Sequence, residues 1–188
     1  MTSYRITKFD PRRRNDQGFY LDNSEWTSIS DIGKPEYKNV TYEEYEKIES
    51  AYVDAVMLIL RDTNLDFLKV DSLVHYATKK DFKKYEKTGR LKNINVDFDK
   101  EVKSLKNGIQ LDSTQIEKII RLILRETVLM LLINDDLEVR FGYDYYMYVK
   151  TKYLKQSTIK QIEKTGLFVE PGIRPIEYKI VDKDGNEI

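Results

Sequence analysis

The side chains able to do chemistry in this chain are few in kind. His75 is the sole histidine and there is no cysteine. Disulfides, zinc–thiolate sites and thiol catalysis are therefore excluded, as in proteins of reducing compartments. A triad would have to use His75, and one histidine makes a poor metal site. His75 lies among apolar neighbours in SLVHYA and reads as a structural residue at the margin of the core. Carboxylates are more plentiful: Asp135, Asp136, Glu138 and Asp144 in one stretch, and Glu43, Glu44, Glu46 and Glu49 in another. Magnesium needs only one or two carboxylates plus substrate phosphates. A metal-dependent phosphodiester reaction on Asp144 with Glu138 or Asp136 is thus one alternative. Against it, acidic residues are ordinary where a helix gives way to a strand, and the second group reads as a solvated helix face. No nucleophile–base pair is visible, so the expectation is a non-enzyme with no cofactor, no metal and no catalytic residues.

Two other stretches invite comparison with binding motifs. WTSISDIGK places hydroxyls ahead of a Gly-Lys, but Ser28 and Pro35 stand where a phosphate loop needs its first Gly and its Ser or Thr. An ordered loop with hydroxyl-to-backbone bonds fits better. Trp26, the sole tryptophan, is either packed inside or part of a contact surface. The run Arg12, Arg13, Arg14 could meet phosphates or an acidic partner, or stand in solvent. Glu117, Arg121 and Arg125, four apart, read as a surface ladder of ion pairs.

The strongest feature is FGYDYYMYV, residues 141 to 149, with four tyrosines in nine positions. From Leu137 to Lys150 the sequence alternates with period two. Phe141, Tyr143, Tyr145, Met147 and Val149 share one parity, which reads as core. Arg140, Asp144, Tyr146, Tyr148 and Lys150 share the other, a mixed aromatic and charged face. Tyrosine and arginine are enriched in interface hot spots. The candidate binding set is accordingly Arg140, Asp144, Tyr146, Tyr148, Trp26 and the three arginines. Internal cover of Tyr146 and Tyr148 by the same chain is the competing reading. So is a stacking groove for single-stranded nucleic acid.

These residues need elements to hold them. Tyr4 and Ile6 mark a short first strand. Thr41 and Glu44 form a capping box, and Tyr45, Ile48, Tyr52, Ala55 and Ile59 step as a helix from about 42 to 61. DFLKV reads as a strand, KKDFKKYEKTG as a short helix stopped by Gly89, and Phe98, Val102 and Leu105 as another. Asp112 and Gln115 cap a second long helix to about 133, whose end, TVLMLLI, is apolar all round and should run through the core. Residues 137–150 form either a hairpin with a three-residue loop at 142–144 or one strand bent at Gly142. Ser157 caps a short helix, LFVE is a strand, and a turn, an edge strand and a polar tail at about 181–188 follow. The fold class is α+β: a largely antiparallel sheet packed against two long helices with a few short ones, in one domain over 1–188.

With 188 residues the chain can bury a core without staples. Lys plus Arg equals Asp plus Glu at 32 each, so no global field draws in nucleic acid or a membrane. No apolar run approaches a membrane span, and the N-terminus lacks a secretion signal, which points to the cytoplasm.

YRITKFDP, EWTSISDIGK, LRE at 124–126, FGYDYYMYV and GLFVE together resemble small bacterial cytosolic proteins that look like immunity proteins. The resemblance implies stoichiometric neutralisation of a toxin through protein–protein contact. It carries no residue roles with it. The neutral charge balance departs from the acidic immunity proteins that shield nucleases, so a nuclease target is disfavoured.

Overall fold

A computed structural model describes residues 1–16, 20, 25–38 and 40–173. Seven strands form a single sheet: β1 (Thr2–Thr7), β2 (Phe67–His75), β3 (Gln110–Asp112), β4 (Val128–Asn134), β5 (Leu137–Phe141), β6 (Met147–Thr151) and β7 (Phe168–Pro171). Their order is β3-β2-β4-β5-β6-β1-β7, and every pair is antiparallel. Among the described residues four α-helices accompany it: α1 (Tyr42–Thr63), α2 (Lys79–Lys87), α3 (Ser113–Leu124) and α4 (Gln156–Lys164). The architecture is α+β, as the sequence predicts. Among the described residues no helix is long and apolar enough to cross a membrane.

Local chemistry explains most element ends. Thr41 and Glu44 exchange side-chain bonds at the start of α1, and Asn64 ends it in the left-handed conformation that asparagine tolerates. Thr78 with Asp81 and Asp112 with Gln115 repeat the box at α2 and α3. The helix that Ser157 should cap begins two residues earlier, with Lys155 at its N-cap and no side-chain bond there. The helix expected around Phe98 is a single π-turn over Phe98–Val102.

One element differs in kind. The predicted second long helix is α3 followed by a reversal and then β4. Glu126 adopts a left-handed φ of 55°. The Thr127 amide and hydroxyl both donate to the Leu122 carbonyl, at 3.0 and 2.7 Å. These bonds close the helix and turn the chain back as a central strand. An apolar run that fills the middle of a sheet carries no period to separate it from a buried helix.

Val128, Met130 and Leu132 of β4, Leu137, Val139 and Phe141 of β5, and Met147 and Val149 of β6 are buried, in one continuous core that also takes in α1 and α3. The register aligns the opposite face into transverse rows. Asp71, Leu131, Arg140, Tyr148, Arg5 and Glu170 form one row across six strands. Lys69, Ile133, Glu138, Lys150 and Ser3 form the next. Every residue of both rows keeps some access to solvent. The expected edge strand and the tail at 181–188 lie outside the described residues, apart from the first residues of that segment.

Candidate functional site

The alternation in residues 137–150 resolves as a hairpin, but with a longer loop than the parity suggests. Phe141 pairs with Met147, not Tyr145. The Gly142 amide donates to the Tyr146 carbonyl at 2.7 Å and the Tyr146 amide to the Tyr143 carbonyl at 3.1 Å. Two residues, Gly142 and Tyr143, thus oppose one, which is a bulge. Asp144 and Tyr145 at the tip both have left-handed φ, 56° and 58°. Twist of that kind suits a tight hairpin.

The loop also redistributes the tyrosines. Tyr145 swings inward to 6 % exposure, while Tyr143, expected in the core, is 68 % exposed. Trp26, Tyr45 and Tyr52 surround Tyr145, with the Trp26 ring edge-on at 5.1 Å. The Tyr52 hydroxyl donates to the Tyr145 carbonyl. Burial pushes the phenols of Tyr45, Tyr52 and Tyr145 up, so all three stay protonated donors. This packing holds a large residue in a backbone region that costs energy for its type.

Below the tip an open groove of about 850 Å³ runs along the solvent face of the sheet. Leu129, Leu131, Arg140 and Tyr148 line it from the strands, Val74 and Tyr76 from the end of β2, and Tyr143 and Asp144 from the loop. The Tyr148 ring covers Gly142 so closely that a Cβ there would stand 3.1 Å from Tyr148 Cε2. Tyr76 and Tyr143, two of the four large apolar or aromatic side chains most exposed among the described residues, stand at its lips.

Among the described residues, four of the six non-glycine residues with left-handed backbone line this groove: Ser72, Glu126, Asp144 and Tyr145. Each is braced. Ser72 sits in the β2 bulge, where the Leu73 amide donates to Asn107 Oδ1 at 3.0 Å. Glu126 accepts from Ser28 Oγ, from Ser30 Oγ at 2.9 Å and from Arg90 at 2.6 Å. Burial would raise the Glu126 pKa, but these donors and the Arg90 charge hold it below the usual carboxylate range. Asp144 shifts the other way: partial desolvation, helped by the charge of Asp31, raises it.

The remaining candidates are placed differently. Tyr146 packs on Phe9 at 5.9 Å, with the Arg5 and Arg14 guanidiniums 4.9 and 5.9 Å from its ring. Trp26 is 8 % exposed, and the Lys8 ammonium lies 4.3 Å from its ring. The three arginines separate. Arg12 pairs with Asp10 in solvent, Arg13 reaches Glu25 at 3.2 Å, and Arg14, with an 8 % exposed side chain, grips Glu170 at 2.5 Å. Arg14, Trp26 and Tyr146 therefore serve packing within the chain. Arg140, Tyr148 and Asp144 are brought together at the groove.

The carboxylates considered for metal chemistry are not brought together. Asp136 pairs with Lys152 at the start of β5, Glu138 lies early in that strand, and Asp144 lies beyond its far end. Glu138 and Phe141 alone span about 10 Å of extended chain. His75 is exposed, with Nε2 2.9 Å from the Val102 carbonyl oxygen. Among the described residues no group of three or more His, Asp or Glu could hold a metal ion.

Sequence reasoning missed Tyr76, Ser72 and Glu126, whose positions depend on bulges and turns that leave no period. The one available signal was Thr78 with Asp81, a capping box that starts α2 and so limits β2 to the residues before it. Comparison with protein-family models, with curated proteins and with solved structures finds no match to this chain.

Proposed function

We propose that this chain is a binding protein that neutralises a partner protein, a bacterial toxin in the cytoplasm, by stoichiometric contact. The observation that carries the reading is the groove, with Tyr76 and Tyr143 exposed at its lips and Tyr148 and Arg140 in its floor. Tyrosine and arginine around a partly desolvated pocket are the usual anchors of protein interfaces. The bracing of its left-handed residues supports a site formed before the partner arrives, which lowers the ordering cost of association. The separation of Asp136 and Glu138 from Asp144 favours binding over the phosphodiester reading.

The test is co-expression with a candidate toxin, beginning with the product of the neighbouring gene. Growth should be rescued, and the two proteins should co-elute as a one-to-one complex. Tyr148→Ala should weaken that complex about thirty-fold, as truncation of a hot-spot residue does, with no change in melting temperature. A toxin that stays active under a molar excess of the chain would count against the reading, as would a complex indifferent to Tyr148.

A further inference from the structure

The groove is uneven in charge. Its floor carries one cation, Arg140, flanked along the row by Leu131 and Tyr148 and, across the groove, by Leu129 and Val74. Among the described residues the Arg140 guanidinium has no hydrogen-bond or ion-pair partner. The other described arginines that are buried or partly buried all have one: Arg5 and Arg14 hold Glu170, Arg90 holds Glu126, and Arg121 and Arg125 hold Glu49. Two carboxylates share the groove with Arg140, and neither neutralises it. Glu126 is saturated by Ser28, Ser30 and Arg90. Among the described residues the Asp144 carboxylate makes no hydrogen bond or ion pair, and the charge felt most strongly there is that of Asp31.

An unpaired guanidinium with apolar walls is a recognition element of definite chemistry. Its planar fork matches the two oxygens of a carboxylate. Once an occupant covers Arg140, exclusion of water by Leu129, Leu131 and Tyr148 strengthens that bond, which requires an apolar body beside the acid. A phosphate suits the site badly. It would bring up to two negative charges to a single arginine, with Asp144 and Glu126 nearby to repel it. The same repulsion disfavours a nucleic-acid backbone, whose binding needs several cations.

We infer that the groove receives an aspartate or glutamate side chain of the partner protein, presented next to an aromatic or branched apolar residue, with Arg140 binding the carboxylate. The choice of a protein as its source rests on the proposed neutralising role; the carboxylate chemistry rests on Arg140 and its walls. Tyr76 and Tyr143 at the lips would close over the apolar neighbour.

The experiment is a titration followed by amide chemical shifts in the folded protein, with the blocked dipeptide acetyl-Phe-Glu-amide as probe. Its glutamine counterpart, phenyl phosphate and phenylacetate serve as comparisons. The glutamate dipeptide should shift Leu131, Arg140, Gly142 and Tyr148, and should bind at least about ten-fold more tightly than the glutamine one, the worth of a charge-assisted bond. Arg140→Gln should abolish that preference and Arg140→Lys should keep part of it. Equal affinity for the two dipeptides would overturn the inference, as would shifts confined to another surface or a preference that survives Arg140→Gln. Tighter binding of phenyl phosphate would make this a phosphate site. Phenylacetate binding more than ten-fold more tightly than the dipeptide would make it a site for a free small acid. Either result rejects the inference. The outcome is separable from the neutralising role. Dipeptide recognition with no effect on any toxin would leave the groove chemistry standing and remove that role. A toxin complex indifferent to Arg140→Gln would do the reverse.

Discussion

At the scale of single residues, Arg125 departs furthest from its type. It has no solvent exposure, nor does Glu49, its partner. Arg125 Nε and its second terminal nitrogen donate to the two Glu49 oxygens at 2.6 and 2.7 Å, and its remaining nitrogen donates to the carbonyls of Arg90 and Lys92. Arg121 adds a bond to Glu49 at 2.7 Å. The ladder expected of Glu117, Arg121 and Arg125 is thus replaced by a buried clamp onto α1, and Glu49 is no solvated residue. The spacing of four was legible, but the partner is 76 residues away in sequence and no local pattern names it. Arg125→Ala should cost about 3–5 kcal/mol in denaturant melts, because it strands a buried carboxylate. Arg125→Ala with Glu49→Leu should recover much of that loss. Asp144 offers a change of opposite sign. Its carboxyl is raised, so the charged form is disfavoured in the fold, and the penalty applies above its folded pKa and fades as pH falls through it. Asparagine also accepts a left-handed φ readily. Asp144→Asn should raise the melting temperature by about 1–2 °C at pH 7, a gain that shrinks by pH 3, where both side chains are neutral.

At the scale of elements, β4 separates what the sequence can say from what it cannot. Capping boxes located the starts of α1 and α3, because a cap is a local bond between residues three apart. The end of α3 depends on Glu126 taking a left-handed φ while held by Ser28, Ser30 and Arg90, which is tertiary information. TVLMLLI, rich in leucine, favours a helix by propensity; the sheet overrides it, since this segment must join β2 to β5. Once it is a strand, its faces differ. Leu132 is fully buried and Leu131 lines the groove. Leu132→Ala should cost about 2–5 kcal/mol, while Leu131→Ala should cost under about 1 kcal/mol, since it leaves no closed cavity. Only Leu131→Ala should weaken the partner complex. Equal losses in urea melts would mean that the solvent face of the sheet is covered. The same logic explains the tyrosine hairpin. Alternation assigned Phe141, Tyr145 and Met147 inward and Arg140 and Tyr148 outward, and it failed only at Tyr143, where the bulge inserts a residue.

At the scale of the whole molecule, carboxylates join segments that lie far apart in sequence. Glu170 of β7 accepts from Arg5 of β1 and from Arg14 of the following loop. Asp62, late in α1, holds Lys155 at the start of α4, at 2.7 Å. Glu126 ties the α3–β4 reversal to the segment at Ser28 and to Arg90. At all three, burial works to raise the carboxyl pKa and is outweighed by donors: Arg5 and Arg14 for Glu170, the Lys155 side chain and amide for Asp62, and Ser28 with Arg90 for Glu126. All three therefore sit below their ordinary values of about 4 in the fold. The sign follows directly. A carboxyl depressed by folding contributes its full stability above its unfolded pKa and loses it as pH falls through the folded one. Melting temperature should accordingly hold level from neutrality to about pH 5 and then decline as the three groups protonate together. Glu170→Gln isolates one of them. It should lower the melting temperature at pH 7, where Arg5 and Arg14 lose their shared partner, and lower it progressively less as pH falls through the depressed folded pKa of wild-type Glu170. Glu126→Gln should behave in the same way and should also loosen the groove wall, so that dipeptide affinity falls along with stability. Glu170→Gln, placed across the sheet at β7, should leave that affinity unchanged. A decline in melting temperature that begins above pH 6, or a Glu170→Gln penalty that does not shrink as the pH is lowered, would mean that these contacts act through packing, with their charge contributing little.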